Sequence, residues 1–186
     1  MRLNLGCGAN KIPGWMNVDH SAECAPDQVV DLESLPWPWP DNAAEEVALT
    51  HVLEHLGATT AGYIGIVKEL WRVCRPGATV TITVPHPRSD DFMNDPTHVR
   101  AVTMQGLLLF SRKANEHWRR EGFSNTPLAL QHGVDFDLVS VDTMLEEPWA
   151  SDMTTGKMDD HALEAAIHRY NNVVKQQTFV LRAVKG

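Results

Sequence analysis

Arg2-Leu3-Asn4-Leu5-Gly6-Cys7-Gly8, with Trp15-Met16-Asn17-Val18-Asp19 just beyond it, is the stretch whose reading decides the fold. Each piece is a short, largely apolar run that ends in a group with chemistry, first a glycine turn and then an acid. Short runs of this kind read as buried strands of a parallel sheet. Glycine directly after a strand permits a tight turn and lets backbone N–H groups approach a ligand closely. Ligands of open α/β sheets bind beyond the carboxyl ends of the strands, so Asp19 is placed to accept hydrogen bonds from a ribose diol. A dinucleotide fingerprint needs a third glycine and a helix before the next strand. Only eight residues separate Gly8 from Asn17, and Pro13-Gly14 interrupts them, so NAD fits poorly.

Working outward, Val29–Leu32 predicts a third strand closed by a second acid, Asp31, which is placed to hold an adenine amino group. Glu46–His51 predicts a fourth, after the irregular proline-rich connection Leu35–Asn42. Thr59 and Thr60 offer N-caps to a helix whose apolar residues Tyr63, Ile66, Val67, Leu70, Trp71 and Cys74 recur at spacings of three and four, and Pro76-Gly77 stops it. Ala78–Pro85 (ATVTITVP) follows at once and is rich in β-branched residues, as a strand requires. From His86 to Gly133 the pattern breaks up, with one helix-like piece at Met104–His117, and this segment reads as a substrate-side insertion. Phe136–Leu145 and Gln177–Val184 are two more strands, separated by a helix over Asp159–Val174, a connection that allows an antiparallel last strand. No repeat or long linker divides residues 1–186, which predicts one domain.

Composition narrows the partners. Hydrophobic residues make up 43% and charged residues 22%, and no apolar run spans a bilayer. The apolar start meets a glycine turn too early for a signal peptide, which predicts a cytoplasmic protein without a membrane span. Cys7, Cys24 and Cys74 form no Cys-x-x-Cys pair and read as reduced thiols. A net charge of -8 argues against a protein that tracks phosphate backbones. The cluster Ser111–Arg120 holds Trp118 among basic residues, but Glu116 lies four positions from both Arg112 and Arg120, the spacing of a solvated helix face.

LNLGCGANK, GWMNVDH, DLESLPWPWPDNAAEEVALTHVLEHL and ELWRVCRPGATVTITVP, in this order over residues 2 to 85, resemble the type 11 class of S-adenosylmethionine-dependent methyltransferases, and DPTHVR (95–100) is similar too. The resemblance implies an α/β, Rossmann-like class I fold: a mostly parallel seven-stranded sheet with its last strand antiparallel, here in a minimal version lacking N-terminal cap helices. It implies S-adenosylmethionine as cofactor, with Gly6, Cys7 and Gly8 at its methionine part and Asp19 on the ribose hydroxyls. Asp31 and Leu32 then flank adenine, and His51 and Val52 border the methyl group. The activity implied is methyl transfer to an oxygen or nitrogen of a small or conjugated acceptor. The connections after the first two strands are too short for full helices, so one sheet face is thinly covered, and a homodimer is expected to bury it.

Methyl transfer needs nucleophile, methyl carbon and sulfur in line, and a base only where the nucleophile is protonated. His98, His86 and His55 are the candidate bases, because imidazole titrates near neutrality and His86 follows the fifth strand directly. Asp95 and Arg100 are placed to orient an acceptor or each other. Trp37 and Trp39 either stack on a ligand or pack the connection, and packing is favoured. A competing class is a zinc hydrolase: His51-Val52-Leu53-Glu54-His55 reads His-x-x-Glu-His, which on a helix puts both histidines on one face as ligands with Glu54 as base. Gly57 and the preceding strand leave little helix there, and no metal is assigned. A cofactor-binding module without transfer activity is the third reading. No Asn- or Asp-Pro-Pro-aromatic motif follows the fourth strand, which disfavours DNA as acceptor.

Overall fold

Alternation along ATVTITVP sets how the sheet is covered. In the computed structural model, which describes residues 1–186, Val80, Ile82 and Val84 are fully buried, while Thr79, Thr81 and Thr83 between them are only half-buried. These residues belong to β5 (Cys74–Pro85). Before it come β1 (Arg2–Leu5), β2 (Met16–Asp19), β3 (Gln28–Val29), β4 (Ala44–Thr50) and the helix α1 (Thr60–Val73). After it come α2 (Asp90–Met93), α3 (Met104–Leu108), α4 (Arg112–Glu121), α5 (Leu128–His132), β6 (Phe136–Leu145), α6 (Trp149–Thr154), α7 (Asp160–Arg169) and β7 (Val174–Ala183).

The strands form one seven-stranded sheet in the order β3-β2-β1-β4-β5-β7-β6. β1 to β5 pair in parallel, and β7 runs antiparallel to both of its neighbours. The last strand is therefore the only reversed one, as the sequence leads one to expect. One cluster of 29 buried residues fills the core. α1 delivers Tyr63, Ile66, Val67 and Leu70 to it as the spacing predicts, with Val73 in the last place where Trp71 and Cys74 were expected, and Thr59 caps its first turn by accepting from the Gly62 amide at 3.1 Å. Phe179 of β7 is completely buried, a burial that stabilises by about 2–3 kcal/mol. No helix is long and apolar enough to cross a membrane.

Four local expectations are corrected. β3 stops at Val29 because Asp31 turns the chain: its carboxylate accepts from the Glu33 amide at 2.9 Å and the Ser34 hydroxyl at 2.8 Å, a local alternative to the strand ladder. α1 ends at Val73, before Pro76-Gly77, since the residue preceding a proline disfavours helix; the register shift between Ala44 and Glu46 opposite Cys74 and Thr79 absorbs that turn inside β5. The piece Met104–His117 is two helices, because the Ser111 hydroxyl accepts from the Ala114 amide at 3.3 Å and starts α4 afresh. The helix expected over Asp159–Val174 covers only Asp160–Arg169, and α6 before it has no periodicity long enough to announce it. The segment 86–133 carries four short helices and contributes Val102, Leu107 and Phe110 to the core.

Candidate functional site

Parallel strands end on the same side, so β1, β2, β3 and β4 bring the segments that follow them together. Between these segments lies a cavity of about 490 Å³, within the size range of small-molecule and cofactor sites. Gly6 forms its wall after β1, Asp19 and His20 after β2, Val30 to Glu33 after β3, and His51, Val52, His55 and Leu56 after β4. Thr97, beside His55, completes the lining.

Asp19 is the most firmly built of these groups. It is 7% exposed, its Oδ2 accepts from the Gly8 amide at 2.8 Å, and its Oδ1 accepts from the Ser21 amide at 2.9 Å. Burial pushes its carboxyl up, but the Ser21 and Gly8 amides together with His20 outweigh that and hold it below the usual carboxylate value. Each oxygen keeps a further lone pair, so an ionised Asp19 can still accept from two hydroxyl groups. Gly6 has φ +66°, and a Cβ built there would lie 2.4 Å from Val52 Cγ2. No side chain fits at this wall, as a close backbone approach to a ligand requires. Gly8 and Cys7 stand behind the wall: the Gly8 amide is spent on Asp19, and burial pushes the Cys7 thiol up, which makes it inert.

A buried polar network fixes the loop between Gly8 and Asn17. Asn4 Nδ2 donates to Asn10 O and to Asn17 Oδ1, each at 2.9 Å, while Asn17 Nδ2 donates to Asp27 Oδ2 at 2.9 Å. Sequence reasoning missed these three residues. Their signal was present, since an asparagine stands in the middle of each of two buried strands and a buried polar side chain needs partners.

Asp31 is exposed and its carboxylate is occupied by Glu33 and Ser34, whereas Leu32 beside it is buried. Trp37 and Trp39 lie below them, packed edge to face at 5.9 Å, with Trp37 Nε1 donating to Leu32 O at 3.0 Å. They pack the connection. Arg72 of α1 anchors that connection further, donating to Trp37 O at 3.1 Å and Trp39 O at 2.9 Å.

The β4 end is more strained. His51 has φ +55°, uncommon for a non-glycine residue, and its Nδ1 lies 3.5 Å from Glu54 Oε1. The Glu54 carboxylate beside it raises the His51 pKa more than burial lowers it. Leu53–His55 is a single 3₁₀ turn, so His51 and His55 do not share a helical face, and the arrangement of the zinc-hydrolase reading is absent. The side chains that do converge are Glu54, His55 and His98, whose ligand atoms all lie within 4.8 Å of one another.

Of the candidate bases, His55 lines the cavity, with its Nδ1 3.0 Å from the Thr97 hydroxyl. His98 lies beside it, ring centroids 4.6 Å apart, stacked on Phe92 and bonded through Nδ1 to Phe92 O at 2.8 Å. His86 stands apart from the cavity wall: its Nδ1 accepts from the Arg88 amide at 3.3 Å, and burial lowers its pKa. Asp95 and Arg100 do not orient each other. Asp95 Oδ1 accepts from the Thr97 amide and hydroxyl at 2.8 and 2.6 Å, while the Arg100 guanidinium lies 4.1 Å over the Tyr63 ring and donates to Gly57 O at 2.9 Å. His20, Glu33, Leu56 and Thr97 are cavity residues that the sequence did not single out; they flank the strand ends without a motif of their own.

Solved structures with this sheet are numerous. A SAM-dependent methyltransferase from Archaeoglobus fulgidus superposes with a TM-score of 0.64 at 14% identity, over 97% of this chain and 85% of that one. A SAM-dependent methyltransferase from Methanosarcina mazei gives 0.58 at 13% identity, over 100% and 92%. The [4+2]-cyclase SpnF gives 0.54 at 18% identity, over 100% and 75%. No family model and no curated protein sequence matches the chain. The chain thus has the α/β, Rossmann-like methyltransferase fold, a seven-stranded mixed sheet with β7 antiparallel. Identities this low define the fold and leave the activity to the site.

Proposed function

We propose that the protein transfers a methyl group from S-adenosylmethionine to an oxygen or nitrogen of a small or conjugated acceptor. The observation that carries this reading is Asp19: a buried, ionised carboxylate with free acceptor positions, beside a glycine wall that no side chain can occupy, in one cofactor-sized cavity. Supporting it are the SAM-dependent methyltransferases among the proteins of the same fold and the motif order over residues 2 to 85, which resembles the type 11 class.

In this reading Asp19 binds the ribose hydroxyls, Leu32 packs against adenine with Asp31 at its amino edge, and Gly6 lets the methionine part lie against the backbone. Cys7 and Gly8 act one step back, holding the turn and the Asp19 carboxylate. His51 and Val52 border the transferred methyl group. The sulfonium supplies an activated methyl and a good leaving group, so the chain's own task is to hold an acceptor in line and keep water out. His55 and His98 stand on the acceptor side and are the bases of choice where the acceptor is protonated; His86 is the more distant one.

Calorimetric titration with S-adenosylmethionine and S-adenosylhomocysteine tests the reading. Micromolar binding that Asp19→Ala abolishes supports it, and no binding to the wild-type chain removes it. Binding without turnover across an acceptor screen would leave a cofactor-binding module. His98→Ala is expected to lower turnover more than cofactor affinity; unchanged turnover takes His98 out of the mechanism.

A further inference from the structure

Glu54 poses a problem that cofactor binding does not solve. The residue is 1% exposed, yet neither of its carboxylate oxygens accepts a hydrogen bond. His51 Nδ1 stands 3.5 Å from Oε1, an ion pair only while that imidazole, 48% exposed, is protonated, and Oε2 has no partner. A buried carboxylate that meets one half-exposed imidazole on one oxygen and nothing on the other is costly unless a further cation meets it.

Two imidazoles stand beside that carboxylate, both turned by hydrogen bonds in the same sense. The Thr97 hydroxyl donates its only proton to Asp95 Oδ1, so it accepts from His55 Nδ1, and the lone pair of a neutral His55 is on Nε2. His98 Nδ1 faces the Phe92 carbonyl, which can only accept, so the lone pair of a neutral His98 is also on Nε2. An imidazole whose Nδ1–H is fixed by a carbonyl or hydroxyl is the arrangement found behind metal-binding histidines. The Phe92 ring, stacked 5.2 Å from His98, holds that orientation.

The geometry points to a binding site for one divalent transition-metal ion, held by the Glu54 carboxylate, His55 Nε2 and His98 Nε2. Two neutral imidazoles and one carboxylate suit Zn²⁺, Co²⁺ or Fe²⁺, and three protein ligands leave a position open. Ligand atoms on one such ion stand about 3.0–3.5 Å apart at bond lengths near 2.1 Å. One ligand atom of each side chain already lies within 4.8 Å of the other two, so side-chain torsions can bring the carboxylate and a nitrogen of each ring onto one ion. The Asp95 carboxylate, 3.7 Å from His98 Nε2, adds negative charge at the rim.

His55 and Thr97 line the cavity, so the ion would stand at its edge. There it would bind an oxygen of the acceptor and lower the pKa of its hydroxyl, replacing His55 and His98 as bases because the ion would occupy their lone pairs, which points to an acceptor able to offer a hydroxyl or carboxylate oxygen. That consequence rests on the methyl-transfer reading; the metal site itself does not.

Chelator-treated protein titrated with Zn²⁺ by calorimetry, and with Co²⁺ by visible absorption, tests the site. The expected result is one ion per chain, with micromolar or tighter affinity and a Co²⁺ ligand-field spectrum. Affinity should fall at least about tenfold in Glu54→Gln and in His98→Ala, and hold in His161→Ala on an exposed turn of α7. Zn²⁺ should also raise the melting temperature of the wild-type chain, a readout that needs no variant to fold. Absence of stoichiometric binding to the wild-type chain overturns the proposal, as does binding that survives both substitutions. S-adenosylhomocysteine titrated into the same samples separates the two readings. Cofactor binding without metal binding removes only the metal site, and metal binding without cofactor binding removes only methyl transfer.

Discussion

The parallel and antiparallel halves of the sheet are built on different plans. β1, β2, β3 and β4 are 4, 4, 2 and 7 residues long, and each ends at the cavity. β5, β7 and β6 are 12, 10 and 10 residues long, and none of their residues lines it. Short parallel strands are worth little by themselves, but they gather four chain turns at one edge. Long antiparallel pairs make more ladder contacts and present nothing to a ligand. The division gathers the ligand-facing turns at one end of the parallel strands and leaves the long ladders to packing alone, which makes it testable by substitution.

The largest effect is expected in the antiparallel half. Phe179→Ala should cost about 3–5 kcal/mol in denaturant unfolding, with cofactor affinity unchanged in the fraction that stays folded. A weakened affinity at equal folded fraction would break the division. Asp19→Ala should act mainly on the ligand: a loss of at least about 100-fold in S-adenosylhomocysteine affinity, enough to remove the micromolar calorimetric signal, as two charge-assisted hydrogen bonds disappear. Gly6→Ala should combine both, destabilising by about 1–3 kcal/mol because the residue has positive φ and its Cβ meets Val52, and weakening cofactor binding as Val52 moves. Asp31→Ala, an exposed acid held by its own turn, should cost only a few-fold in affinity and within about 0.5 kcal/mol in stability.

The smallest effect concerns pH. The Arg72 guanidinium beside Glu69 holds that carboxyl below its ordinary 4.5, against the upward push of burial. A carboxyl lowered on folding contributes stability that is complete above pH 4.5 and is lost as pH falls through the folded value. Glu69→Gln should therefore flatten the acid side of the stability profile below about pH 4.5 and leave the neutral-to-alkaline side parallel to wild type. An unchanged acid slope would mean that Glu69 is not tuned by Arg72.

Legibility in the sequence followed the same division. β1, β2, β4, α1 and β5 could be found because apolar runs and turn residues alternate on a scale of ten residues, and Asp19 stood out because it ends such a run. Glu54 could not. Its letters read as half of a local His-x-x-Glu-His pattern, while its actual neighbour His98 arrives from far along the chain, with Thr97 beside it bonding His55 across 42 positions. Asp31 was found in the right place but with its carboxylate already occupied, because the sequence does not show that Glu33 and Ser34 turn back on it. The segment 86–133 was the least legible, since its helices are four to ten residues long and too short for periodicity to declare them.

One hydrogen-bonded junction limits how this chain can be recombined. The Glu54 carbonyl accepts from both the Val99 amide at 2.9 Å and the Arg100 amide at 3.1 Å, which stitches the segment after β5 to the turn after β4. A chimera that took its acceptor-side segment from another protein at the obvious seam, directly after Pro85, would keep this junction only if the incoming backbone brought amides to the same carbonyl. A crossover after Arg100 keeps both bonds whatever segment follows, so the first fifteen residues after β5 belong with the turn after β4 rather than with the helices beyond them.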